Sequence, residues 1–73
     1  MANQQAMLED VEKGGEVLLL ADGRRLVVCP DDRTVVSIWL PPCSLILRRG
    51  KNAAYPVSVT NDETGEAITA KAA

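Results

Sequence analysis

The side chains able to do chemistry in this 73-residue chain are few. They are Cys29 and Cys43, the adjacent carboxylates Asp31-Asp32 and Asp62-Glu63, and the cations between Arg24 and Lys51. Histidine, the commonest general base and a frequent metal ligand, is absent. Two widely spaced cysteines form no zinc motif, and neither has a base fixed beside it in sequence to make a nucleophile. Both carboxylate pairs fall in turn segments, where an acid is solvated and bonds its own backbone; a general acid/base pair needs a cleft with divided environments. Asn61-Asp62-Glu63-Thr64-Gly65-Glu66 has the acidity of a calcium loop without its alternating oxygen ligands. No glycine-rich phosphate loop is present. The expectation is no catalytic residue, no metal and no cofactor. An enzyme would require subunits to build a shared cleft between them.

Charge is unevenly distributed. Within residues 24–51, the six cations Arg24, Arg25, Arg33, Arg48, Arg49 and Lys51 meet only Asp31 and Asp32, whereas the segments on either side are acidic and the whole chain carries −2. A basic middle with acidic flanks suits an anionic contact through Arg24, Arg25, Arg48, Arg49 and Lys51, such as an RNA-binding small barrel comparable to Sm-like proteins. It suits equally a contact between subunits, basic surface to acidic. The arginines also serve simply as soluble strand ends, and neighbouring arginines on a strand point to opposite faces, which splits a patch. Trp39 and Tyr55 are the only rings, too few for a base-stacking platform.

The elements that must position these groups read as β. Asp22-Gly23 lies between Val17-Leu18-Leu19-Leu20 and Leu26-Val27-Val28, the signature of a two-residue hairpin turn. Such a turn pairs Leu19 with Leu26, Leu18 with Val27 and Val17 with Val28. Cys29-Pro30-Asp31-Asp32-Arg33 is the next turn. A third strand is predicted over Thr34 to Leu40, broken by Pro41-Pro42, and a fourth over Ser44 to Arg49. A fifth runs from Ala53 to Thr60, with Pro56 arguing for an edge or bulge, and a short sixth lies over Glu66 to Ala70. Gln4 to Lys13 has Met7, Leu8 and Val11 at helical spacing before Gly14-Gly15, which predicts a short N-terminal helix. The expected fold is mainly β: a five- to six-stranded antiparallel barrel or sandwich of SH3-like or OB-like size. Residues 1–15 would be a helical cap or arm, 16–70 the single β domain and 71–73 a frayed tail.

With Val36, Ile38 and Leu40 on one face of the third strand, Val35 and Trp39 fall on the other, joined by Ile46 from the fourth. A monomer this small should not show such a face to water. Val35, Trp39 and Ile46 are therefore the expected contact with a second copy or another protein. On a meander, Cys29 and Cys43 lie roughly 20 Å apart at ~3.3 Å per residue, too far for a disulfide, so two reduced thiols are expected. No stretch approaches the roughly 18 apolar residues of a membrane span, and the start lacks a basic-then-apolar signal, so a cytoplasmic protein is expected.

Asp22-Gly23, Val28, Trp39-Leu40-Pro41, Tyr55-Pro56 and Asn61-x-x-Thr64-Gly65-Glu66 followed by Ala70 form a spacing that resembles small bacterial β-proteins of uncharacterised function. These share an Asp-Gly hairpin, a mid-chain Trp before a turn and an Asn-x-x-Thr-Gly-Glu turn. Many of them read Trp-Leu-Pro-Gly-Asp where this chain has Trp39-Leu40-Pro41-Pro42-Cys43. The resemblance covers residues 22 to 70. It implies a compact β-fold and assigns no catalytic residue.

Overall fold

The computed structural model describes residues 3–73. Six antiparallel strands close into a barrel: β1 (Gln4–Glu12), β2 (Val17–Leu20), β3 (Arg25–Val28), β4 (Cys43–Arg49), β5 (Val57–Asn61) and β6 (Ala67–Ala72). Their order around the barrel is β1-β2-β3-β6-β5-β4, with β4 returning to β1. Closure removes every free sheet edge, the economical solution for a chain with short strands and few aromatics. Alternation along each strand sends Leu8, Leu18, Leu20, Val28, Leu45 and Val59 inward, all fully buried.

The N-terminal segment corrects the sequence reading. Gln4 to Glu12 is a strand, not a helix, and it is the one that shuts the barrel: its first half pairs with β4 and its second with β2. The helical spacing has a physical origin. A register shift between Leu8 and Asp10 inserts an extra residue, so two inward positions, Leu8 and Val11, come to lie three residues apart. The β domain therefore includes most of the segment assigned as a cap. Residues 1 and 2 of that segment lie outside the described residues.

The third predicted strand is also replaced. A 3-10 turn over Pro30–Asp32 runs into the helix α1 (Arg33–Val36), and the chain then crosses Ser37 to Pro42 without pairing. The β-branched run at Thr34-Val35-Val36 masked an ordinary helix start, with Pro at the first position and two Asp in the first turn. Asp32 anchors this segment, its carboxylate accepting from the Thr69 N–H at 3.0 Å and from the Thr69 hydroxyl at 3.2 Å. Val36 and Trp39 then drop into the core and plug this end of the barrel.

Two smaller corrections concern register. The β2–β3 hairpin pairs Leu18 with Leu26 and Val17 with Val27, one residue away from the expected register. Its loop has three residues: Gly23 lies at φ +92 while Asp22 keeps negative φ, so the turn ends in a glycine bulge and is not the two-residue type. The slip puts Leu18, Leu20, Leu26 and Val28 on the inner face. At the other end, β6 continues through Lys71 and Ala72, which pair with Val27 and Leu26, so the predicted tail belongs to the sheet. The strand expected from Ala53 begins at Val57, immediately after Pro56.

Candidate functional site

Strand polarity sets the site. β2, β4 and β6 run toward the end at which β1, β3 and β5 begin, so that end collects the last residues of three strands, the first of the three others, and the β2–β3 loop. The entry into β3, just past that loop, brings Arg24 and Arg25 there, and the end of β4 brings Arg48 and Arg49. In the barrel order β3 and β4 are three places apart, which in a six-stranded barrel means opposite walls. The two arginine pairs thus face each other across an opening. The cavity between them has a volume of about 640 Å³, with Leu26, Leu47, Val57, Pro56 and Ala72 among its lining residues. An aliphatic cavity rimmed by guanidinium groups combines desolvation with charge, the usual composition of a binding pocket.

The four arginines are not equivalent. Arg24 donates to Asp22 at 2.7 Å and to Gln4 Oε1 at 3.3 Å, and Arg25 donates to Glu12 at 3.0 Å. The Asp22 carboxyl sits below its ordinary range, chiefly because it accepts the backbone N–H of Arg24 and then because the same residue's guanidinium lies beside it. Among the described residues, Arg48 and Arg49 make no ion pair and stand exposed. The wall formed by β4 therefore carries the uncompensated charge, while the opposite wall is held in place by its acidic neighbours.

Of the predicted anion-binding set, the barrel gathers Arg24, Arg25, Arg48 and Arg49 and leaves Lys51 in the exposed loop beyond β4, outside the lining. Opposite pointing of adjacent arginines does not split the patch, because at a strand end both faces border the same rim. Val35, Trp39 and Ile46 are not gathered on one exposed face. Trp39 is 4% exposed and donates its Nε1–H to Glu66 Oε1 at 2.8 Å; Val35 packs partly buried against the core; Ile46 lies half-buried on the outside of β4 between Gln5 and Thr60. The most exposed large apolar residues described are Ile38 (68%) and Leu40 (83%), which the predicted third strand places on one face with the buried Val36; Met7 follows at 46%. The double proline after Leu40 was the available signal, since a chain that cannot pair after residue 40 has little reason to pair just before it.

The turn acids serve structure. Asn61, 2% exposed, accepts the N–H groups of Glu63 and Thr64 on Oδ1, and Glu63 accepts the Ser44 N–H. Among the described residues, no three acidic or cysteine side chains converge as a metal-binding group. No helix there is long and apolar enough to cross a membrane.

Cys29 and Cys43 are free thiols, the first half-buried and the second buried. Burial pushes the Cys43 thiol up, the Glu63 carboxylate adds to it, and the Asn61 amide partly opposes them. Iodoacetamide at neutral pH should therefore modify Cys29 while Cys43 stays protected until the protein unfolds, which peptide mass mapping reads directly. A thiol raised on folding binds its proton more tightly in the native state. Its contribution to stability is complete below the unfolded-state pKa and is lost as pH rises through the folded value. The melting temperature should thus fall above about pH 9, and Cys43→Ala should flatten that part of the profile.

No protein-family model, curated protein or solved structure matches this chain.

Proposed function

We propose that this barrel is a non-catalytic binding module whose arginine-rimmed mouth receives an acidic, aliphatic segment of a protein partner. The observation that carries the proposal is the meeting of Arg24 and Arg25 with Arg48 and Arg49 across one aliphatic cavity. Guanidinium groups take carboxylates in a planar fork, and the floor offers apolar contact and no ring on which a base could stack. Tyr55, the nearest aromatic in sequence, has Lys71 Nζ over its ring at 5.4 Å and does not line the cavity.

The test is fluorescence anisotropy with a labelled peptide of alternating Glu and Leu, at two salt concentrations. Binding should weaken as salt rises, because exposed charges are screened within about 8 Å at physiological ionic strength. Each rim contact contributes up to about 1 kcal/mol, and the double reversal Arg48→Glu/Arg49→Glu both removes two attractions and adds two repulsions, so it should cost about tenfold in affinity. The melting temperature should hardly move, since both side chains are exposed. RNA binding through the same guanidinium groups is the second reading. It takes over if an eight-nucleotide oligouridylate binds more tightly than the peptide and the same double variant abolishes that binding.

A further inference from the structure

The chain itself carries a segment of the chemistry that the mouth would accept. Ile38 and Leu40 project from the crossing between α1 and β4, and Glu63 shares their shallow depression on the surface. The same end of the barrel holds Asp31 and Asp32 in the turn before α1, and Asp62 and Glu66 in the β5–β6 turn. It is acidic and capped by exposed aliphatic side chains, the complement of a basic rim over an aliphatic floor. β4 starts beside this end at Cys43 and finishes at the mouth with Arg49, so the two surfaces lie at opposite poles, roughly 20 Å apart at ~3.3 Å per residue. One molecule cannot satisfy its own mouth.

Resting on the binding role proposed for the mouth, we infer that its partner is a second copy of this chain, with Ile38 and Leu40 of one molecule entering between the arginine pairs of the next. The contact is head-to-tail. Each copy offers one filled pole and one open pole, so association grows into open chains unless the rotation between copies happens to close a ring. Charge complementarity sets the orientation, because mouth against mouth or cap against cap would place like charges together. The inserted area is small compared with that of a stable dimer interface, so assembly is weak and follows concentration and salt.

Sedimentation velocity over about 10 μM to about 1 mM covers the range for an interface below standard size. The wild-type protein should show a mean mass that climbs with concentration and falls with salt. Leu40→Asp leaves the mouth intact and removes the cap's apolar tip; Arg48→Glu/Arg49→Glu leaves the cap intact and removes the mouth's charge. Each alone should remain monomeric, and an equal mixture should form a heterodimer that does not grow, because one functional contact survives in the pair. Leu40→Ser, which removes the tip without adding charge, should also be monomeric and should melt as the wild type does. A wild-type protein monomeric at about 1 mM overturns the inference, as does a Leu40→Asp variant that assembles normally or a mixture that fails to pair. Should Leu40→Asp bind the Glu-Leu peptide with wild-type affinity while the wild type does not self-assemble, the mouth keeps its binding role and the partner is another protein. Loss of peptide binding by every form removes both.

Discussion

Trp39→Ala should cost about 3–5 kcal/mol of folding stability, the range for deleting a large buried aromatic. Trp39 fills the plugged end of the barrel beside Val36 and Cys43, and its Nε1–H donates to Glu66 Oε1, which also accepts from the Thr64 hydroxyl at 3.1 Å. A domain of this size has on the order of 5–10 kcal/mol in hand, so the variant would be close to unfolding at room temperature. Trp39→Phe keeps most of the ring volume and loses only the donor; it should cost about 1–2 kcal/mol. The neighbouring Leu40→Ala, on a side chain 83% exposed, should stay within about 0.5 kcal/mol of wild type. Urea denaturation followed by the fluorescence of the single Trp checks the wild type and Leu40→Ala, with circular dichroism for the two Trp variants. A loss below about 1 kcal/mol for Trp39→Ala would mean that the plug is not part of the cooperative core.

Gly15→Ala is expected to be almost as damaging, for a different reason. Gly15 closes the 3-10 turn Lys13–Gly15 between β1 and β2 at φ +100, and a Cβ there would stand 2.5 Å from the carbonyl oxygen of Arg33. That oxygen is the acceptor for the Ser37 N–H at the end of α1. The methyl group therefore pushes on the backbone of the helix that carries Val36 and leads to Trp39. The left-handed conformation costs a side chain roughly 1–2 kcal/mol, and the clash adds about 1–3 kcal/mol. Gly14→Ala separates the two effects. Gly14 also has positive φ, but its Cβ would meet nothing within 4 Å. Thermal melts should put Gly15→Ala about 1–3 kcal/mol below Gly14→Ala. Equal losses would show that α1 does not rest on this turn.

These two variants probe one device. α1 and the crossing after it close one pole of the barrel through Val36 and Trp39, while the other pole stays open between the arginine pairs. The asymmetry gives the protein a front and a back. The closing segment also exposes Ile38 and Leu40, alternating with the buried Val36 and Trp39, so the chain that seals the core presents the apolar tip proposed to enter a neighbour.

Much of the architecture is legible in the residues. Composition and turn chemistry indicate a small all-β domain, and Asp22-Gly23, Gly50 to Asn52 and Asn61 to Gly65 each mark a connection between strands. The absence of His and the concentration of arginine between residues 24 and 51 direct attention to binding. The errors have local causes. A bulge gave β1 the apolar spacing of a helix, and β-branched residues gave α1 the look of a strand. The three-residue loop shifted the hairpin by one. The bulge and the hairpin each depend on a single residue of phase, which short-range pattern does not resolve.

Local chemistry determined which residues turn, which alternate and where positive charge accumulates. Whether Arg24 and Arg25 ever meet Arg48 and Arg49 was decided by tertiary structure alone. β1 pairs with both β2 and β4, and that closure places two sequence-distant strand ends on opposite walls of one opening. It likewise took the packed plug to bury Trp39 and leave Leu40 in water. The physical reason is common to both: side-chain surroundings at a barrel's poles depend on which strands close the circle and what fills its ends, and both are long-range contacts.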